Sequence, residues 1–211
     1  MSRLRYNRLQ AVQHLQSQCP KLGQFISAHG PFKLKVAADA SLFEALARAI
    51  VYQQLSGKAA GTIHGRFCAL FADGQPCPAD LIPLSFEQLR AVGLSRNKVL
   101  AIQDLAEKSL SGQLPKPRQL AAMNDAAVIE KLCEVRGIGP WTAQMLLMFN
   151  LGRPDVMPIA DLGVQKGVQI IYRLRALPDP AQVLQRTRHL APYRSAASWY
   201  FWRAADTALM T

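Results

Sequence analysis

The sequence predicts an all-α fold, on three observations. Apolar residues recur at helical spacing in segments separated by Gly and Pro. N-cap residue types stand ahead of several of these segments, some with Glu or Gln three places on. β-Branched residues do not alternate over useful lengths, so strand signals are poor.

A first helix is predicted over roughly 5 to 18, stopping before Pro20. Only Phe32 to Val36 could pair as a strand. Ser41 with Glu44 makes a capping box opening a helix that carries Leu42, Leu46, Ala49 and Ile50 on one face. It ends near Gln54-Leu55-Ser56-Gly57, and another helix runs from about Lys58 through Ile63, Phe67 and Leu70. Ser85 with Gln88 caps a short helix ending at Gly93, and Ser95 starts one that closes at Gly112. Pro115 and Pro117 mark a loop. Asn124 or Asp125 starts a helix facing inward with Val128, Leu132 and Val135. After Gly137-Ile138-Gly139, Pro140 takes the first position of the next helix, where its missing N–H costs nothing. Asp161 leads into a further helix, and two more fill roughly 180 to 190 and 193 to 209.

Composition narrows the function. Half of the 211 residues are apolar and 18% are charged, which excludes a mainly disordered chain. No apolar run approaches the ~20 residues of a membrane helix. The start MSRLRYNRLQ lacks a following apolar stretch, so no secretory signal is expected. Lys and Arg number 25 against 14 acids, a net charge of +11 spread over positions such as Arg5, Lys33, Arg96, Lys116, Arg175 and Arg188. A basic folded surface favours polyanions, with nucleic acid first and anionic lipid second, against simple solubility. The cysteines, at 19, 68, 77 and 133, form no C-x-x-C pair, and the histidines form no H-E-x-x-H. Reduced thiols and no side-chain metal centre are expected.

The informative segment is Leu132-Cys133-Glu134-Val135-Arg136-Gly137-Ile138-Gly139-Pro140-Trp141-Thr142-Ala143. Two glycines flanking one apolar residue make a tight turn between helices, with Ile138 free to plug the core. Bare N–H groups at the start of the next helix, with its dipole, make an anion site that takes a duplex phosphate without sequence readout. A G-x-G alone fits an ordinary helical corner. The longer string L-x-x-V-x-G-I-G-x-x-T-A points to a phosphate-binding hairpin.

This string resembles the helix-hairpin-helix motif of the base-excision DNA glycosylase superfamily. The resemblance extends to Val156-Met157-Pro158-Ile159-Ala160-Asp161, the place where that superfamily carries its catalytic Asp. Asp155 competes but sits ahead of the V-x-x-P-x-x-D pattern. Lyase members carry Lys directly before T-A; here Trp141 stands there, which implies a monofunctional hydrolase. G-I-G-P-W-T-A, with Arg48-Ala49-Ile50-Val51-Tyr52-Gln53-Gln54-Leu55-Ser56 and Ala191-Pro192-Tyr193-Arg194-Ser195, looks like the 3-methyladenine DNA glycosylase II group of AlkA and yeast MAG type. Tyr193 replaces that group's Trp and Ala160 its second Asp, departures that bear on substrate range.

The resemblance implies a two-lobed helical fold with the active-site cleft between the lobes. It implies a central lobe of about 45–150 holding the hairpin 132–143, and a second lobe from about 1–44 and 151–211. It implies double-stranded DNA with alkylated bases as partner, no membrane, a monomer, and a bacterial cytoplasmic or eukaryotic nuclear setting. Asp161 would be catalytic, although by itself it reads as an N-cap. Trp141 and Tyr193, then Tyr52 and Met145, would hold the cationic base by stacking and cation–π attraction; Trp199 and Trp202 read as core. Gln53, Gln54 and Leu55 form the expected plug for the emptied stack, with Gln54 first. Ser56, Lys58, Gly137, Gly139 and Thr142 would meet the strand. No cofactor is required; a structural Na+ or K+ would sit on the main-chain carbonyls of Cys133, Val135 and Ile138. The alternatives are a non-enzymatic hairpin module and a mismatch or oxidised-base glycosylase.

Overall fold

The computed structural model describes residues 4–37 and 41–208. Among these residues the chain is helical, with short 3-10 turns and no strand. No described helix is long and apolar enough to cross a membrane. The chain divides into two compact units: Met1–Ala38 with Leu147–Thr211, and Asp39–Leu146.

The first unit opens with α1 (Arg8–Gln18), capped by the Asn7 side chain on the Leu9 and Gln10 N–H groups. α2 (Pro20–His29) follows at once. Pro20, expected only to stop the first helix, also starts the second, because its fixed φ suits a first helical turn. The stretch Phe32 to Val36, a candidate strand, forms no regular element and joins no ladder. Phe32 and Leu34 alternate into the core, while the Leu34 carbonyl accepts from the Arg8 guanidinium at 2.8 Å.

The second unit holds α3 (Leu42–Tyr52), α4 (Gly57–Cys68), α5 (Pro78–Leu81), α6 (Phe86–Ala91), α7 (Arg96–Leu110), α8 (Pro117–Ala122) and α9 (Asp125–Cys133). α10 (Pro140–Phe149) begins there. Serines 41, 56, 85 and 95 each accept a backbone N–H as the N-caps of α3, α4, α6 and α7. α7 is the central helix, packed on α3, α5 and α6 through Val99, Ile102 and Leu105. The Pro115–Pro117 loop is shorter than expected, because Pro117 opens α8.

The remainder of the first unit is α11 (Leu162–Tyr172), α12 (Pro180–Thr187) and α13 (Arg194–Ala208). α11 and α13 make its most extensive helix pair. Gly167 is the reason they approach so closely: a Cβ there would lie 2.0 Å from the Phe201 carbonyl oxygen. The loop before α11 is stitched to α13. Val156 N–H donates to Ser195 Oγ at 2.9 Å, and Ser195 Oγ donates to the Arg153 carbonyl at 2.7 Å. Arg194 grips Asp155 with Nε and Nη2, both at 2.7 Å. Burial favours the protonated Asp155, but the Arg194 bonds outweigh it and hold the carboxyl below the usual carboxylate range.

Candidate active site and nucleic-acid interface

The hairpin is built as its spacing predicts. Val135 and Ile138 are buried, and the Ile138 N–H donates to the Val135 carbonyl at 3.0 Å, closing the turn. Gly137 sits at φ +76°, a left-handed backbone that disfavours a side chain, and its missing Cβ would stand 3.2 Å from that of Ala101. Gly139 differs: a Cβ there would meet nothing within 4 Å. No packing inside the chain demands glycine at 139. Asp104 on α7 accepts the Arg136 N–H at 2.7 Å and pairs with Lys108, pinning the turn to the central helix.

The α3–α4 turn is tied to the same hairpin. Gln53 Nε2 donates to the Gly137 carbonyl at 2.9 Å and reaches Thr142 Oγ1 at 3.4 Å. The Gln53 amide and Thr142, which is 5% exposed, therefore brace the hairpin internally, whatever part either plays toward DNA. Gln54 is exposed at φ +55°, a conformation costing a non-glycine residue about 1–3 kcal/mol. Leu55, Ser56 and Lys58 are exposed beside it, with Ser56 capping α4. Lys98 holds this turn from below: its Nζ donates to the Val51 and Gln53 carbonyls at 2.8 and 2.9 Å. Burial lowers the Lys98 pKa.

Trp141, in the first turn of α10, is 47% exposed, and Met145 one turn later is half-buried. Tyr52 is half-buried, with the Arg48 guanidinium 4.8 Å over its ring, so one of its faces already carries a cation. In the first unit Tyr193 meets His14 edge-on at 5.3 Å and Tyr6, with tilted rings, at 5.9 Å. Asp161 is half-buried at the N-cap of α11, where Oδ1 accepts the Val164 N–H at 2.8 Å. The same oxygen accepts Trp202 Nε1 at 2.7 Å.

The sequence pattern of the HhH-GPD superfamily base excision DNA repair proteins matches residues 47–192, which include the hairpin and Asp161. The chain belongs to the HhH-GPD superfamily. DNA-3-methyladenine glycosylase 1 of Schizosaccharomyces pombe is 38% identical over 167 residues, 79% of this chain and 73% of that protein. The solved structure of the S. pombe 3-methyladenine DNA glycosylase in complex with abasic DNA matches with a TM-score of 0.84 at 34% identity. That match covers 92% of this chain and 95% of the other. The DNA-3-methyladenine glycosidase of Bacillus halodurans matches with a TM-score of 0.85 at 36% identity, over 95% of this chain and 91% of that one.

Within this HhH-GPD chain the two carboxylates of the 155–161 loop have separate surroundings. Asp155 is clamped by Arg194, whereas Asp161 accepts the Val164 N–H and the Trp202 indole N–H on one oxygen. Two residues were missed in the sequence. Trp202 was read as core, and Lys98 as one of many surface charges. Neither carries a local signal, because each acts on a partner more than forty positions away. Lys98→Met is expected to cost about 1–3 kcal/mol of unfolding free energy, since it leaves half-buried carbonyls without their donor. Urea denaturation checks this; an unchanged midpoint would show that water replaces the ammonium at no cost.

Proposed function

We propose that the chain is a monofunctional DNA glycosylase that everts alkylated purines, such as 3-methyladenine, from duplex DNA and hydrolyses their N-glycosidic bonds. The observation that carries this reading is the Asp161 carboxylate, held at the start of α11 in a chain whose hairpin has Trp141 where lyases have a nucleophilic Lys.

An alkylated purine is cationic and already a good leaving group. Cleavage takes the C1′–N bonding pair onto the base, which departs neutral and leaves an oxocarbenium-like sugar. Asp161 would stabilise that charge and orient a water, whose oxygen bonds to C1′ and whose proton passes to the carboxylate or to solvent. A base must leave the stack to be reached. Gln54, exposed at a left-handed position of its turn, suits the plug better than Gln53, whose amide is engaged with the hairpin. Trp141 offers an exposed ring to a cationic base, with Tyr193 as the second aromatic. Around Gly139 there is room for a phosphate to approach bare backbone.

The carbonyls of Cys133, Val135 and Ile138 are neutral oxygen donors, a set that suits a weakly held Na+ or K+. The Val135 oxygen accepts one N–H and keeps a second lone pair. Such an ion would add positive charge beside the phosphate. The described residues contain no His, Cys, Asp or Glu cluster for a metal. One copy suffices for one lesion, so the protein would act as a monomer wherever the cell keeps its DNA.

The test is incubation of the purified protein with methylated duplex DNA and chromatography of the released bases. Release of 3-methyladenine is expected, with strands left intact until alkali is added. DNA affinity should fall steeply with salt, because phosphates dominate the contacts. Salt-sensitive binding without any base release would favour the non-enzymatic hairpin module.

A further inference from the structure

Asp161 would cap α11 with the Val164 N–H alone. The structure adds a second donor on the same oxygen, brought from a different helix. Trp202 Nε1, on α13, reaches Asp161 Oδ1 at 2.7 Å, across 41 residues of sequence. The indole is fixed by its own packing: its ring lies against Phe149 at 5.9 Å with planes 24° apart. The chain also makes space for this pair. At Gly163 a Cβ would fall 2.7 Å from Trp202 Cδ1, 3.2 Å from Nε1 and 3.1 Å from Asp161 Oδ1. Even a methyl group at 163 would push the indole or the carboxylate aside.

We infer that Trp202 is a positioning residue for Asp161, and that glycine at 163 provides the clearance this requires. Two donors converging on Oδ1 from different directions fix both side-chain torsions of Asp161. Its carboxylate is thereby oriented before substrate arrives, so no reorganisation is needed as charge develops on the sugar. The inference rests on the reading of Asp161 as the catalytic carboxylate.

Trp202→Phe keeps an aromatic ring against Phe149 and removes the N–H. Its single-turnover release of methylated purines should fall about 10- to 100-fold, the size expected for one hydrogen bond to a charged group. Binding to duplex carrying an abasic-site analogue should stay within about twofold, since the residue acts on the reacting group and not on the strand. Gly163→Ala, which crowds the pair from the other side, should give the same split. A spectroscopic readout is independent of activity. The Trp202 indole N–H resonance, identified by its absence in Trp202→Phe, should lie downfield and move upfield in Asp161→Ala. A resonance that ignores Asp161→Ala overturns the inference. So does a Trp202→Phe rate within twofold of wild type while Asp161→Asn is inactive, an outcome that leaves the glycosylase reading standing. A wild type that releases no methylated base removes that reading and the inference with it, whatever the indole resonance does.

Discussion

Asp161→Asn is expected to lose base release by roughly 10²- to 10⁴-fold while binding DNA as the wild type does. The substitution is nearly isosteric. Asn caps helices as well as Asp, so α11 should start at the same residue. The amide oxygen can still accept from Val164 N–H and Trp202 Nε1. What disappears is the negative charge, and with it the stabilisation of a cationic sugar. Asp155 marks the contrast, since its carboxylate is committed to Arg194 and its role is to hold the loop. Single-turnover release from a defined 3-methyladenine or 7-methylguanine duplex measures the effect. An Asp161→Asn rate within tenfold of wild type would remove the catalytic assignment.

Gly167→Ala should destabilise the fold by about 3 kcal/mol or more. The added carbon would sit 2.0 Å from the Phe201 carbonyl oxygen and 2.5 Å from its Cα. Those atoms are backbone in the middle of α13, so no side chain can swing away, and α11 and α13 must separate. The gain in helix propensity, about 1 kcal/mol, is too small to offset this. Gly65, exposed on α4 with open space where its Cβ would be, is the matched control. Gly65→Ala should stabilise by about 0.5–1 kcal/mol. Urea denaturation of both variants separates the two effects, and an unchanged midpoint for Gly167→Ala would contradict the close helix contact.

What was legible in the sequence is what neighbouring residues decide. The hairpin turn depends on residues within a dozen positions, and Asp161 as N-cap needs only Val164. The serine caps are local in the same way, which explains why α3, α6 and α7 begin where they were expected. Proline proved ambiguous. At Pro20 and Pro117 it reads as a break, and in the fold it also opens α2 and α8. Phe32 to Val36 could have paired as a strand by sequence, but the Leu34 carbonyl is met by the Arg8 side chain and not by a ladder. The site's supporting bonds were invisible because they are tertiary. Gln53 reaches Gly137 across 84 positions and Trp202 reaches Asp161 across 41. A polar residue beside a motif reads first as a ligand contact, and the internal bonds that Gln53 makes to Gly137 and Thr142 carry no signal of their own in the sequence.

The unusual dihedral at Gln54 is supported from within the fold, with the Lys98 ammonium securing the Val51 and Gln53 carbonyls just before it. Its energetic cost therefore falls on folding and is not charged again when DNA arrives. If Gln54 is the plug of the proposed function, it would probe each base step with a tip already in shape, and an encounter would hinge on how readily the DNA yields.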